Sequence, residues 1–278
     1  MINFAIKTLL KVKPRFLYSE ANDVKVKTYR LPLLINQHER PLKIVHISDL
    51  HIGFNYTYED LIQHIKVVNS LQPDMVMITG DLFDKIDIYD GKPKAFAPLL
   101  RTIKAPLGTY FSYGNHDQRS NRTYKIQNVV EQSGIHLLNN FGHTIDYDGE
   151  SIYLCGTDDI LNSNGNVMQA LKNRDEERHL TIMMVHEPDY ADYVKRFKVD
   201  LQLSGHTHGG QIRVPFLGAP ILPKLGKKYV RGLYQITNNN HRMLLHVSPG
   251  LGTTRLPIRL FCPPEITMIE LETKKEAE

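Results

Sequence analysis

Short apolar runs that end in polar residues constrain the fold of this chain more than any other feature. Ile44–Ile47, Met75–Thr79 and Thr109–Tyr113 each have the length and composition of a strand that is buried on both faces. Helical patterns separate these runs: one follows an imperfect capping box that starts at Thr57, and another spans residues 95–103. Strands that alternate with helices favour parallel βαβ units, so the chain is predicted to be an α/β protein.

The second half of the chain continues the strand pattern at shorter spacing. A hairpin is predicted around Asp148-Gly149. The further predicted strands span residues 181–185, 201–204, 229–236, 242–247 and 266–271. No internal repeat, low-complexity segment or linker divides the sequence, and 278 residues suit one α/β domain. We therefore predict an N-terminal extension over residues 1–40 and a single domain over residues 41–278.

The residues that follow the predicted strands carry the groups that are capable of chemistry. In open α/β sheets, binding sites form at the carboxyl ends of the strands, so these residues are expected to meet on one surface. They comprise two aspartates, an asparagine and five histidines: Asp49, Asp81, Asn115, His51, His116, His186, His206 and His208. Oxygen and imidazole ligands without thiolate suit Mn, Fe or Zn rather than a closed cysteine site.

The stretch Gly205–Ile212, with the sequence GHTHGGQI, is the densest of these segments. Its two histidines stand one residue apart on a turn after a strand, which can aim two imidazoles at neighbouring points. The flanking glycines permit unusual backbone angles and leave room for metal and substrate. A histidine outside such a motif is better interpreted as a hydrogen-bonded structural residue. That interpretation applies to His38, His46, His64, His136, His143, His179, His241 and His246.

The ordered motifs DLH, GD, GNHD, VHEP and GHTH resemble those of the calcineurin-like metallophosphoesterase superfamily. The resemblance runs from about Lys43 to Glu270, and five motifs in a fixed order make it specific. It implies a four-layer α/β/β/α sandwich, in which two mixed β-sheets are flanked by helices. It also implies an enzyme, a metal-dependent phosphoric ester hydrolase.

The resemblance implies a role for each motif residue. The implied ligands of one divalent metal ion are Asp49, His51 and His208, those of a second are Asn115, His186 and His206, and Asp81 bridges both. His116 is implied to be a general acid or stabiliser near the leaving-group oxygen and not a ligand. In such a centre, two ions of Mn, Fe or Zn lower the pKa of a bridging water, and the resulting hydroxide attacks phosphorus.

Segments beyond these motifs indicate a branch of the superfamily. The stretch GHTHGGQIRVPFLGAP, followed by YVRGLY and PIRLFCPPEITMIEL, resembles the YkuE/YaeI-like branch of bacterial phosphodiesterases. This resemblance implies hydrolysis of a small or lipid-linked phosphodiester or pyrophosphate, with chemistry like that of UDP-2,3-diacylglucosamine hydrolases. A cyclic-nucleotide or nucleotide phosphodiesterase shares the motif frame and stays open as an alternative. A non-catalytic scaffold is disfavoured because every motif ligand is present.

A basic and apolar segment follows the GHTH motif and is a candidate substrate contact. It combines Arg213, Lys227, Lys228 and Arg231 with apolar residues such as Phe216. Such a loop could receive a phosphate head group that is joined to a hydrophobic part, since loops beside an active site commonly set specificity. The alternative is a solvated, proline-rich connection with ordinary surface lysines. The formal net charge of +4 is too mild to predict a nucleic-acid partner.

The N-terminal residues have the pattern of a short basic amphipathic helix. Ile2, Ile6, Leu9 and Leu10 share one face, so the helix could lie on an anionic membrane or dock on its own domain. No run is apolar enough to span a bilayer, and no signal peptide is convincing. With only two cysteines, no disulfide framework is expected. The predicted location is cytoplasmic, with peripheral contact at the inner face of the cell membrane as an option; the sequence predicts no oligomeric state.

Overall fold

The computed structural model describes residues 23–84, 86, 95–119, 123–177, 179–238 and 241–274. The amphipathic helix predicted at the N-terminus lies outside these residues. Within the described ranges, no helix is both long and apolar enough to cross a bilayer.

The predicted strands and helices occur in the predicted order, with small differences in their ends; the strands at residues 25–34 and 136–137 and the helices at residues 123–132, 167–170 and 191–194 were not predicted. The strands are β1 (Lys25–Leu34), β2 (Leu42–Ile47), β3 (Met75–Thr79), β4 (Thr109–Ser112), β5 (His136–Leu137), β6 (Phe141–Tyr147), β7 (Glu150–Gly156), β8 (Leu180–Met184), β9 (Leu201–Ser204), β10 (Gly232–Asn238), β11 (His241–Val247) and β12 (Glu265–Thr273). The α-helices are α1 (Tyr58–Ser70), α2 (Phe96–Leu100), α3 (Thr123–Gln132), α4 (Val167–Ala170) and α5 (Ala191–Val194). The predicted hairpin is the antiparallel pair of β6 and β7.

The first sheet has the strand order β1-β12-β2-β3-β4-β5. Strands β2 to β5 run parallel to one another, whereas β12 pairs antiparallel with β2 and parallel with β1. Strand β1 lies within residues 1–40, the stretch that the sequence set apart as an extension, and it was not predicted. Its sequence, KVKTYRLPLL, carries a proline and several cations, which suit an edge strand but obscure the strand pattern.

The second sheet has the strand order β10-β11-β9-β8-β7-β6. Strands β7, β8, β9 and β11 are parallel neighbours, and β6 and β10 close the two edges through antiparallel pairs. Each sheet therefore contains a parallel centre, so several strands end at the same edge of each sheet.

Three apolar layers hold the two sheets and the helices together. Between the sheets, Ile44 and Met77 share one core with Leu154 and Leu203. A second core joins the outer face of the first sheet to α1, α2 and α3, and a third joins the second sheet to α4 and α5. Helices thus flank two mixed sheets, which confirms the predicted α/β/β/α fold class.

Helix α1 forms the crossover that sets β2 beside β3. The Thr57 hydroxyl accepts the N–H of Asp60 at 3.2 Å, and the Asp60 carboxylate accepts the N–H of Thr57 at 2.7 Å. This capping box is the one predicted from the sequence, and it fixes where the helix begins. Leu61, Ile65 and Val68 bury one face of α1 against the first sheet. The crossover makes β2 and β3 parallel, so their carboxyl ends open side by side.

Candidate metal centre

The carboxyl ends of five strands, drawn from both sheets, meet at one edge of the sandwich. From the first sheet, Asp49 follows β2, Asp81 follows β3 and Asn115 follows β4. From the second sheet, His186 follows β8 and His206 follows β9. The seven residues predicted as metal ligands are all buried: Asp49, His51, Asp81, Asn115, His186, His206 and His208.

The backbone at this edge adopts conformations that non-glycine residues rarely take. Asp49, His51, Asp81, His206 and His208 all have φ angles between 49° and 71°. The left-handed region costs a non-glycine residue about 1–3 kcal/mol and persists where the surrounding structure holds it, often at active sites. Here the left-handed residues turn each chain sharply out of its strand, and their side chains converge on one space.

Asp49, His51 and His208 form the first group of side chains at the centre. The Nε2 atoms of His51 and His208 are 3.0 Å apart, and Nε2 of His208 lies 3.4 Å from Oδ1 of Asp49. The carboxylate of Asp49 also accepts the backbone N–H of His206 at 3.0 Å. One carboxylate oxygen and two imidazole nitrogens, all within 4.8 Å of one another, can hold a divalent cation.

Asp81 joins this group to a second one. Its Oδ2 lies 3.5 Å from Nε2 of His51 and 3.4 Å from Nε2 of His186, and its Oδ1 accepts the N–H of His116 at 2.8 Å. The Nδ1 atom of His186 donates to the carbonyl oxygen of Thr79 at 2.6 Å. In the neutral ring Nε2 carries the lone pair; this nitrogen has no hydrogen-bond partner among the described residues and faces Asp81. This is the orientation of an imidazole that ligates a metal through Nε2.

Asn115 and His206 complete the second group. The Nε2 atom of His206 donates to the carbonyl oxygen of Lys224 at 2.8 Å, so Nδ1 of the neutral ring is an acceptor. Burial, with help from His186, lowers the pKa of His206 to about 4, so the ring is neutral at pH 7. Nδ1 nevertheless lies 2.9 Å from the amide oxygen of Asn115, which is also an acceptor. A cation that both lone pairs coordinate would remove this conflict.

The buried carboxylates leave the centre short of positive charge. Asp49 and Asp81 are 0 % and 2 % exposed, and burial raises the pKa of Asp49. Burial alone would lower the pKa of His186, but the Asp81 and Asp49 carboxylates hold that pKa well above its usual value. Buried anions require cationic partners. The donor set, the orphaned nitrogen and this demand for charge all fit divalent cations.

His116 lies beside the two groups and is held by Asp84. Its Nδ1 is 3.2 Å from the Asp84 carboxylate, and the same oxygen is 3.3 Å from Nδ1 of His51. Burial opposes protonation of His116, but the hydrogen bond to Asp84 and the negative charges of Asp81 and Asp84 together outweigh it and raise the pKa of His116. Burial likewise opposes ionisation of Asp84, and its hydrogen bonds to both rings lower its pKa instead. Such a pair can hold and release a proton near neutral pH.

Arg119 contacts the other nitrogen of His116, and the sequence did not single it out. Its Nη1 donates to Nε2 of His116 at 3.0 Å, while Asp84 holds Nδ1 on the far side of the ring. A guanidinium at this point can pair with an anion that approaches His116. Arg119 lies three residues after His116 in the sequence. This spacing alone does not predict the contact, because the contact depends on the shape of the turn after β4.

Arg259 is a second residue that the sequence missed. Its side chain is fully buried, and its guanidinium donates to backbone carbonyl oxygens on two other segments and to that of Cys262 in its own segment. The acceptors are the carbonyl oxygens of Pro249, Gly250, Gly252, Cys262 and His208. The guanidinium thereby ties the segment after β11 to the turn that carries His208. Hydrogen bonds to carbonyl groups leave no periodic signal in a sequence, so the role was not predictable.

Two glycines keep space for the candidate ligand carboxylates of Asp49 and Asp81. A Cβ atom at Gly205 would overlap the Ser48 hydroxyl and the Asp49 carboxylate, and one at Gly114 would overlap Asp81. Neither glycine has a positive φ angle, so the requirement is steric and not conformational. The room that Gly205 leaves in the GHTH motif is filled by the Asp49 side chain.

Two of the four predicted substrate residues line an open recess next to the GHTH turn. Arg213 and Arg231 border this recess of about 490 Å³, together with Phe216 and Phe261. The other two, Lys227 and Lys228, are exposed and do not line it. The Nζ atom of Lys228 instead pairs with a carboxylate of α5 at 2.7 Å.

Comparisons with known proteins agree with the arrangement at this edge. The calcineurin-like phosphoesterase family matches residues 42–210. Over 232 residues, the chain is 40 % identical to the uncharacterized metallophosphoesterase YkuE of Bacillus subtilis (strain 168), across 83 % of this chain and 79 % of that protein. Over 236 residues, it is 30 % identical to phosphodiesterase YaeI of Escherichia coli (strain K12), across 83 % and 82 %.

A solved structure with a similar fold is the NAD nucleotidase NadN of Haemophilus influenzae. The TM-score is 0.50 at 14 % identity, and the match covers 76 % of this chain and 45 % of that one, so it concerns the fold alone. The family match and the two relatives confirm the superfamily and the YkuE/YaeI-like branch that the motifs indicated. The chain belongs to the calcineurin-like phosphoesterase family and is a metal-dependent phosphoester hydrolase.

Proposed function

We propose that the protein is a phosphodiesterase that holds two divalent metal ions and hydrolyses a small or lipid-linked phosphodiester or pyrophosphate. The observation that carries this proposal is the pair of adjoining ligand groups that share Asp81 and have His116 at their side. The name of the Escherichia coli relative, phosphodiesterase YaeI, supports a diester as the substrate class.

The two ions would be held by separate ligand sets that meet at Asp81. Asp49, His51 and His208 would hold one ion; Asn115, His186 and His206 would hold the other. Mn, Fe and Zn all suit carboxylate, amide and imidazole donors. When bound, such ions supply Lewis acidity that activates water and offsets negative charge on the phosphoryl oxygens.

The protein's own contribution is the proton that leaves with the product. Asp84 holds Nδ1 of His116, so Nε2 is the nitrogen that can serve a leaving-group oxygen. In the structure, Nε2 accepts a hydrogen bond from Arg119. A phosphate group that draws Arg119 to itself would free Nε2 to take up the proton that it later donates, which the raised pKa of His116 favours, and would have its own charge balanced. We assign His116 as the general acid and Arg119 as a phosphate contact.

The recess beside the GHTH turn suits a substrate with a charged and a hydrophobic part. Arg213 and Arg231 supply guanidinium groups that match phosphate oxygens in two-point geometry. Phe216 and Phe261 supply apolar surface in the same recess. Lys227 and Lys228 stay candidate contacts for a longer substrate. A lipid-linked diester presents both kinds of group, and the cytoplasmic location predicted from the sequence is compatible with it.

The first test compares bis-p-nitrophenyl phosphate with p-nitrophenyl phosphate. Protein stripped of metal would be reloaded with Mn or Zn, with His116→Ala and Asn115→Ala as variants. Metal-dependent cleavage of the diester, with little cleavage of the monoester and losses in both variants, is expected. Equal or faster monoester cleavage would make the protein a phosphomonoesterase. Absence of turnover with every metal would contradict the proposal for these substrates.

Metal content provides a second test that does not depend on turnover. Elemental analysis is expected to give two bound ions per chain in the wild type. Loss of one ion in His206→Ala, with the other retained, would support two separate ligand sets. A single ion in the wild type would overturn the two-metal proposal and leave the hydrolase assignment intact.

A further inference from the structure

The loop of residues 213–222 exposes large apolar side chains to solvent. Phe216 is fully exposed, Leu217 is 83 % exposed, and Ile221 is 52 % exposed. Phe261, which lies against the base of the loop, is 54 % exposed. Single exposed apolar residues are ordinary on protein surfaces, but a cluster of this kind marks an interaction surface.

The geometry of the loop holds its tip outward. Val214 and Gly218 exchange backbone hydrogen bonds of 2.8 and 2.9 Å, which close a tight turn with Phe216 near its tip. Phe216 has a φ of 67°, a left-handed conformation that is unfavourable for a bulky side chain. A short closed turn cannot fold its own side chains inward, so the exposure follows from the backbone and not from a loose chain.

The charged residues of the loop and of its neighbours in the sequence have a single sign, and the nearby carboxylates of Asp189 and Asp192 contact residues 227–229, beyond the loop. No aspartate or glutamate occurs between Asp200 and Glu265. Arg213 and Arg231 line the recess at the foot of the loop, and each donates to a backbone carbonyl oxygen. Within the described part of the chain, neither guanidinium has a carboxylate partner. Lys224, at the end of the loop, is also exposed. An apolar tip with a cationic collar complements an anionic, apolar surface.

The loop begins and ends at the metal centre. It starts just after the turn that carries His208, and Arg213 donates to the carbonyl oxygen of Gly209 at 3.1 Å. It returns to Lys224, whose carbonyl oxygen accepts from His206 at 2.8 Å. A surface that contacts the tip of the loop near Phe216 would therefore lie next to the candidate metal centre.

We propose that the loop of residues 213–222 docks the protein on an anionic lipid bilayer. Phe216 and Leu217 enter the boundary between head groups and acyl chains, while Arg213, Arg231 and Lys224 contact lipid phosphates. This docking surface belongs to a different part of the sequence from the N-terminal helix, for which the sequence left open either membrane contact or docking on its own domain. The binding itself does not depend on hydrolysis; only the delivery of a lipid-linked diester to the metal centre rests on the proposed function.

The test measures co-sedimentation of the full-length protein with vesicles. Phosphatidylcholine vesicles that contain phosphatidylglycerol are compared with vesicles of phosphatidylcholine alone. The test variant is Phe216→Ser with Leu217→Ser. The matched control is Phe141→Ser with Met168→Ser, since these residues are 50 % and 64 % exposed on edge strand β6 and on α4.

We expect the wild type and the control to bind anionic vesicles and the loop variant to bind at least about tenfold more weakly. Lys224→Gln should weaken binding by about fivefold, and added salt should weaken it further. The unfolding temperature without vesicles should be the same in the wild type and the loop variant, because Phe216 and Leu217 are exposed, and equal values show that the variant is folded.

Two outcomes would overturn the docking proposal. Undiminished binding by the loop variant would assign membrane contact to another segment, such as the N-terminus. Binding of the wild type to neither kind of vesicle would indicate that the loop meets a protein partner or a soluble substrate. Loss of diester turnover by the wild type would instead contradict the proposed function and leave the vesicle result to be judged by itself.

Discussion

Two clusters of fully buried histidines lie close together in this protein and have opposite electrostatic character. His46 and His246 form a pair between the sheets, with their Nδ1 atoms 2.8 Å apart. His186 belongs to the metal centre. Thr79 contacts both clusters: its hydroxyl lies 2.8 Å from Nε2 of His46, and its carbonyl oxygen accepts from Nδ1 of His186.

The difference between the clusters lies in the carboxylates. Burial lowers the pKa of His246 to about 3 and places that of His46 well below its usual value. The same burial acts on His186, but Asp81 reverses its effect and raises the pKa. Equally buried histidines therefore have lowered pKa values in one cluster, where the pair is neutral, and a raised pKa in the other, where carboxylates adjoin the ring. Position relative to the strand end decides which applies, because His46 lies within β2 whereas the carboxylates follow β2 and β3.

Replacing Asp81 by Asn tests the role of the carboxylates most severely. The change keeps the size of the side chain but removes the charge that both ligand groups share. Loss of several kcal/mol of charge stabilisation predicts a fall in kcat/KM of about a thousandfold, together with loss of bound metal. Steady-state turnover and elemental analysis check this expectation.

A matched control is Asp200→Asn, which removes a carboxylate that accepts the N–H of Thr181 at 2.8 Å away from the centre. That variant should keep its metal and its turnover. Full activity in Asp81→Asn would mean that the shared carboxylate does not distinguish the two clusters in function.

His116 and Asp84 test the proton transfer next to the centre. His116→Ala is expected to lower kcat by about a hundredfold, the lower end of what a general acid contributes. Asp84→Asn should have a smaller effect on kcat and a specific effect on pH dependence. Asp84 raises the pKa of His116, so its loss should move the alkaline limb of the rate profile to lower pH. Coincident profiles for wild type and Asp84→Asn would remove Asp84 from this role.

Gly205→Ala tests whether the packing around Asp49 matters for metal binding. The added methyl group would overlap the Ser48 hydroxyl and the Asp49 carboxylate, so the carboxylate has to move. Changes to the groups that position a metal ligand typically weaken metal affinity by about 10–100-fold. Titration calorimetry with Mn or Zn measures the affinity, and the unfolding temperature without metal shows whether the domain is intact. Unchanged affinity in an intact protein would show that the space at Gly205 is not required.

Much of this arrangement could be predicted because the relevant signals are local. Buried strands such as β2 and β3 are short apolar runs, and the candidate ligands follow them directly in the sequence. The capping box at Thr57 is likewise written within four residues. Strand β1 escaped prediction because its cations and proline resemble a polar extension, whereas its pairing partner β12 lies at the far end of the chain.

The residues that were missed act across the fold. Arg259 reaches carbonyl groups on two segments, and Arg119 reaches an imidazole nitrogen that only the turn after β4 brings within range. The contact of His46 with His246 depends on the registration of one sheet over the other, which no local pattern encodes. Predicting such contacts requires the packed sheets and not only their strands.

The smallest expected effect concerns the stability that the His46–His246 pair lends and its dependence on pH. Folding lowers the pKa of both rings. The pair therefore makes its full contribution to the free energy of unfolding above about pH 6.5, where the rings are neutral in both the folded and the unfolded protein. As the pH falls below that value toward about 3, the unfolded chain takes up protons that the native rings refuse, and stability is lost. The loss is about 1 kcal/mol for each histidine by pH 5.5.

The double variant His46→Asn with His246→Asn should therefore show a smaller decrease in unfolding free energy between pH 7.5 and 5.5 in urea titrations. The slope is the informative quantity, since it stays readable if the variant is less stable at every pH. An equal slope in both proteins would mean that the pair is not held neutral, and the contrast with the metal centre would fail.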